Sequence, residues 1–202
     1  MSNKEKLNQR FMMLEKKKLG KALFEEVVAS KTSLEKVRAL IDAGADVNVA
    51  DVEAQIENST FTSTLRAAVG LKKVEVVKLL LKAGADVNSS KNGGLAALSS
   101  AAIRGYAEII KLLLDAGAKV NAVDKNGESA LTLAAQKGYV ETVPLLLKAG
   151  ANVNTENKYG STALTLAAEK GYVEIVKLLL DARAKVNAEN KNGDTALTLA
   201  AC

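Results

Sequence analysis

The feature that most constrains this chain is a period. LLLKAGADVN ends at Asn88, LLLDAGAKVN at Asn121, LLLKAGANVN at Asn154 and LLLDARAKVN at Asn187, and each step is 33 residues. Leu65, Leu98, Leu131, Leu164 and Leu197 follow the same spacing of 33. A fixed period of this size signals stacked supersecondary units, each too small to bury its own apolar face.

One copy, Ala122–Asn154, shows what the unit is made of. Asp124-Lys125-Asn126-Gly127 is a turn signal, with Gly where positive φ is needed. Ser129 stands at a helix N-cap position, as do Thr162 and Thr195 in later copies. The spacing predicts a first helix over Ala130 to Lys137, stopped by Gly138, with Leu131, Leu133, Ala134 and Ala135 turned inward. A second helix is expected over Val140 to Lys148, with Val143, Leu146 and Leu147 in helical register and Ala149-Gly150-Ala151 as the stop. Helices of about two to three turns are unstable alone in water, so the fold must come from stacking one pair on the next.

The unit resembles the ankyrin repeat, whose pattern is a turn, T-P-L-H-x-A-A-x-x-G, a second helix ending L-L-x-x-G-A, and a closing Asn. Gly160, Thr162, Leu164, Ala167, Ala168, Gly171, Leu178, Leu179 and Ala184 carry the match, with equivalents in the other copies, over about Ala22 to Ala201. The motif's proline is Ala at Ala130, Ala163 and Ala196, and its histidine is Thr at Thr132, Thr165 and Thr198. These changes remove a rigid helix start and a cross-repeat hydrogen bond. The resemblance implies an all-α solenoid of stacked helix-turn-helix units with projecting β-turn fingers. It also implies that partners dock on finger tips and first helices.

The expected organisation is a basic lead-in or capping helix over residues 1–21, a degenerate capping repeat over 22–48, and a repeat with an extended finger over 49–88. Full repeats follow over 89–121, 122–154 and 155–187, with a partial repeat over 188–202. From Asn48 to Leu65 is 17 residues, against 10 from Asn88 to Leu98, so seven extra residues lie within Val49–Phe61. Ile56 and Phe61 put apolar side chains there, which suggests a binding element; a tolerated surface insertion is the bland alternative. Several copies depart from the pattern. Lys72 replaces the helix-ending Gly, so that helix is expected to end differently. Ala96 replaces the capping Thr. Pro144 falls in the first turn of a second helix, where little distortion is expected. Arg183 stands where other copies have Gly44, Gly84, Gly117 and Gly150, and strain is expected there. The chain stops at Cys202 after LTLAA, which reads as a fragment of a longer array or as an edge open to self-association.

Chemistry-bearing residues are scarce. The chain has no histidine, which removes the commonest general base and metal ligand, and its single cysteine cannot build a thiolate site. It contains no phosphate-binding glycine motif. Glu108, Glu141 and Glu174 recur in first turns of helices, where carboxylates suit the dipole. The expectation is a non-enzymatic protein with no cofactor, metal or small-molecule substrate.

Charge is unevenly placed. Residues 1–21 hold seven Lys/Arg and two Glu, a balance of +5, while the remainder has 21 basic and 21 acidic residues. The repeats are thus not a basic surface, and nucleic acid is not an expected partner. A membrane is reachable only through residues 1–21, where Leu7, Phe11 and Leu14 are spaced i, i+4, i+7; a cap on the first repeat is the bland alternative. Without a secretory leader or a disulfide framework, a cytoplasmic location is expected, although export by a signal-independent route leaves no mark in the sequence.

The resulting expectation is a scaffold that binds a protein partner. Candidate contacts are Lys125, Asn126, Glu128, Lys158, Tyr159, Ser161, Lys191, Asn192 and Asp194 at the tips, with Ile56 and Phe61 in the long finger. Alternatives are a secreted bacterial or parasite effector acting on host proteins, and a membrane- or nucleic-acid-associated protein using its basic N-terminal segment.

Overall fold

The computed structural model describes residues 3–48, 63–90 and 96–201, and Ile56, Phe61 and the rest of the long finger lie outside them. The described residues form eleven helices, and their only β feature is an isolated bridge between Val123 and Ser129. The chain divides into two units, Met1–Ser89 and Ser90–Cys202.

The first unit holds α1 (Asn3–Val28), α2 (Leu34–Asp42), α3 (Thr64–Gly70) and α4 (Val74–Lys82). α1 packs on α2 and α3, α3 on α4, and α2 on α4. α1 runs without a break through residue 21, so the basic lead-in and the first element of the first pair are one helix. Only its C-terminal part is packed. Leu23, Phe24 and Val27 are buried, whereas residues 5–14 are exposed. The backbone N–H of Asp46 donates to the Lys16 carbonyl at 3.2 Å, near the start of the packed part. At the other end, the Lys73 ammonium donates to the carbonyls of Val27 and Ala29, both at 2.7 Å, and to the Thr32 hydroxyl. A cation thus satisfies carbonyls that the end of α1 leaves open, which also suits the helix dipole. Burial lowers the Lys73 pKa from its ordinary value, and the Glu26 charge opposes that shift.

The second unit holds α5 (Ala97–Ala102), α6 (Ala107–Asp115), α7 (Ala130–Lys137), α8 (Thr142–Lys148), α9 (Ala163–Glu169), α10 (Val173–Asp181) and α11 (Ala196–Ala200). First helices form one row, α5–α7–α9–α11, and second helices another, α6–α8–α10. The core lies between the rows and is aliphatic: Leu98, Ile109, Ile110, Leu113, Leu131, Val143, Leu146, Leu164, Ile175 and Leu179 are buried. The alanines of the first helices, such as Ala134, Ala135 and Ala167, are buried too, and their small side chains allow the close approach of neighbouring helices.

The capping chemistry follows the sequence and adds to it. The Ser129, Thr162 and Thr195 side chains each accept a backbone N–H at the third helical residue, and Thr132, Thr165 and Thr198 close the box by accepting the N-cap N–H. The Thr that replaces the motif's histidine therefore serves its own helix. Ala96 makes no side-chain cap, and α5 has only six residues. α8 begins at Thr142, with Pro144 in its first turn, so the missing proline N–H coincides with a position that has no helical acceptor.

Two departures from the glycine pattern have the same backbone outcome. Arg183 adopts φ +63°, where Gly44, Gly84, Gly117 and Gly150 have values from +83° to +86° or, counting each, 85°, 84°, 83° and 86°. Lys72 also takes positive φ, +55°, like Gly105 at +69° and Gly138 at +77°. Its helix ends as the others do, with Lys73 N–H bonded to the Ala68 carbonyl as Tyr106 N–H is to Ala101. The expectation of a different ending is corrected. The lysine thus takes the left-handed conformation that glycine has in the later copies.

Tyr106, Tyr139 and Tyr172 are 33 residues apart, and the last two have a steric role. A Cβ at Gly105 would come within 2.5 Å of the Tyr139 ring, and one at Gly138 within 2.8 Å of Tyr172. Each ring thus lies over the glycine of the preceding pair. Gly171, at φ +69°, has nothing within 4 Å. Gly138→Ala should therefore lose about 2–4 kcal/mol from strain plus overlap, and Gly171→Ala only about 1 kcal/mol, as read by chemical denaturation. Relief of strain works the other way: Arg183→Gly should raise stability by about 0.5–1 kcal/mol, since the gain at positive φ exceeds glycine's added chain entropy. Calorimetry would register this as a melting temperature higher by about 1–4 °C.

Candidate protein-binding surface

Among its described residues the second unit presents three successive fingers, and each is built by the same local chemistry. An Asx residue opens the turn, at Asp124, Asn157 and Asn190. The Asp124 carboxylate accepts the N–H groups of Asn126 and Glu128 at 2.8 and 2.9 Å. Asn157 does the same for Tyr159 and Ser161, at 2.9 and 3.0 Å. Asn190 repeats it for Asn192 and Asp194, at 2.9 and 3.0 Å. The short polar side chain thereby substitutes for a backbone acceptor. A backbone pair closes each finger, for example Asp124 N–H to the Glu128 carbonyl at 3.0 Å and Asn157 N–H to that of Ser161 at 3.0 Å.

The fingers are also tied to one another. The Lys158 N–H donates to the Asn126 carbonyl at 2.7 Å, and the Lys191 N–H to that of Tyr159 at 2.9 Å. The Lys158 ammonium reaches the Asn126 side-chain oxygen at 2.7 Å. Gly127 and Gly160 make the close approach feasible: a Cβ at either would lie 3.1 Å from the backbone of the next finger. Below the tips, the closing asparagines continue the coupling. Asn121 accepts the Asn152 N–H at 2.7 Å and donates to the Gly150 carbonyl at 3.1 Å, and Asn154 accepts the Lys185 N–H at 2.8 Å.

The candidate tip residues fall into two sets. Lys125, Lys158, Tyr159, Lys191 and Asn192 are exposed. Tyr159 is 57% exposed, and the Lys158 ammonium sits 5.0 Å from its ring centroid, within cation–π range. The others are half-buried and engaged. Glu128 accepts the Asn157 side-chain N–H at 2.8 Å, across the gap between fingers. Asp194 accepts that of Asn190 at 3.2 Å, within its own finger. Asn126 is half-buried beneath Lys158, and the Ser161 carbonyl closes its own turn. The sequence reading missed Asn157, which is 7% exposed and joins two fingers; its repeat register with Asp124 and Asn190 was the available signal.

Family comparisons agree with this geometry. A family described as ankyrin repeats in three copies matches residues 26–124 and 64–157, and one described as ankyrin repeats in many copies matches residues 146–200. The chain belongs to the ankyrin repeat family. Its fold is the all-α repeat solenoid of that family, and ankyrin repeats generally mediate protein–protein interaction. A search among curated proteins found no match.

Asn157 gives the site a direct structural test. Asn157→Ala removes three hydrogen bonds and leaves a Glu128 oxygen without its donor. The expected cost is about 1–3 kcal/mol, with faster hydrogen exchange at the amides of Tyr159 and Ser161. Unchanged exchange at those two amides would show that the finger is held by other contacts.

Proposed function

We propose that this ankyrin-repeat chain is a non-enzymatic scaffold that binds a protein partner through the outward tips of its second unit. The observation that supports the reading is the cross-finger ladder. Backbone bonds at 2.7 and 2.9 Å lock neighbouring tips, while Lys125, Lys158, Tyr159, Lys191 and Asn192 stay exposed. A surface that is already ordered loses little entropy on binding. An exposed tyrosine supplies a large, stiff contact area, and tyrosine is enriched among residues that dominate interface energies. The flanking lysines bring charge that selects a partner by complementarity.

In this reading Glu128, Ser161 and Asp194 brace the fingers, and Asn126 supports Lys158. Ile56 and Phe61 stay candidate contacts on sequence grounds alone.

The test is quantitative affinity purification with the full chain and with a Lys158→Glu/Tyr159→Ala/Lys191→Glu variant, followed by mass spectrometry. Because the three side chains are exposed, the variant should melt with the parent. Loss of a specific protein from the captured set, by about tenfold or more, is the expected result. A full complement of partners on the variant would place the binding surface elsewhere.

A further inference from the structure

The first half of α1 is the one long stretch of described helix that the repeats leave in solvent. Leu7, Phe11 and Leu14 are 68%, 62% and 58% exposed, as are Met12 and Met13, at 59% and 62%, on the other side of the helix. At about 100° per residue, Leu7, Phe11 and Leu14 fall within about 60° of one another on the helix. Gly20, Leu23, Phe24 and Val27, which are buried in the first unit, centre on the opposite side. The stripe therefore faces away from α2 and α3, and the repeats cannot be what covers it.

Its surroundings are basic. Arg10, Lys17 and Lys21 are exposed and, by the same projection, lie along one flank of the stripe, with Lys6 beyond them. Lys18 extends the line of the stripe and pairs with Glu15 at 3.0 Å. Across residues 1–21 the balance is seven basic to two acidic residues, the whole net charge of the chain.

We propose that the N-terminal half of α1 docks on an anionic lipid surface, with Leu7, Phe11 and Leu14 entering the headgroup boundary. The helix does not cross the bilayer, and among the described residues no helix is long and apolar enough to do so. It lies in the interface, where a short apolar stripe and a basic flank act together. Long lysine and arginine side chains beside the stripe keep their charged ends at headgroup level while their stems follow the apolar face. Charge complementarity selects this occupant. Lys6, Arg10, Lys17 and Lys21 gather on one flank of the stripe, so charge and apolar side chains can meet a continuous anionic plane together. Nucleic acid shares the charge but offers nothing to three exposed apolar side chains without base stacking. This surface is separate from the finger tips, so each can fail without the other.

The chain has no tryptophan, so Phe11→Trp in the full-length protein places a single reporter on the stripe. The probe is a vesicle of phosphatidylcholine with about one-third phosphatidylserine, compared with pure phosphatidylcholine. The expected result is a blue shift of emission with the anionic vesicles and binding at least about tenfold weaker to neutral ones. Leu7→Ser/Leu14→Ser, on the reporter background, should cut affinity about tenfold while leaving the melting curve in place. Arg10→Glu/Lys17→Glu/Lys21→Glu should abolish binding. Three outcomes would overturn the proposal: no blue shift with anionic vesicles, undiminished binding by the serine variant, or displacement of the protein from vesicles by DNA of equal charge.

Discussion

The structure depends on contacts between successive helix pairs. No pair here could bury its apolar side chains alone: α5 has six residues, α8 and α9 seven each. Leu131, Leu146 and Leu164 are buried, and the helices that carry them pack on helices of the adjacent pairs. The same meeting satisfies polar groups, since the Asn121 side chain bonds both the N–H of Asn152 and the carbonyl of Gly150, roughly a repeat away. Apolar packing supplies the driving force, and the asparagine fixes the register of one pair against its neighbour. Tyr139 over Gly105 and Tyr172 over Gly138 add a steric lock at the helix turns.

Much of the fold was legible because it repeats. The period placed both helices of each pair, Ser129, Thr162 and Thr195 as caps, and Arg183 in the left-handed region. What escaped the sequence reading was long-range or decided by side-chain reach. Lys72 replaces a glycine, yet its backbone takes the same left-handed turn, closed by the Lys73 N–H on the Ala68 carbonyl. Lys73, in the register of the tyrosines, finds its acceptors at Val27, Ala29 and Thr32, more than 40 residues back. The capping role of Thr132 depends on reach: its hydroxyl accepts the Ser129 N–H at 2.8 Å. The Leu7-Phe11-Leu14 stripe was visible, but the side of α1 it occupies follows from where Leu23 and Val27 pack.

The candidate surface shows the same division. Lys125, Lys158 and Lys191 share one register, and their exposure follows from placement at a turn tip. Glu128 and Asp194 also share a register but bond different partners, Glu128 across to the next finger and Asp194 within its own. Repeat position therefore identifies a finger, and only the geometry separates side chains that hold it from side chains that face outward. Rigidity and display come from one set of bonds, since the ladder that orders the tips also leaves Tyr159 uncovered.

The central claim is that these pairs are held only by their neighbours. Its most direct test is circular dichroism and thermal melting of one excised unit, Ala122–Asn154, with sedimentation to establish that it is monomeric. The expected result is a largely unfolded chain with no cooperative transition. A folded monomer that melts cooperatively would mean that each unit carries its own core, contradicting the stacking account.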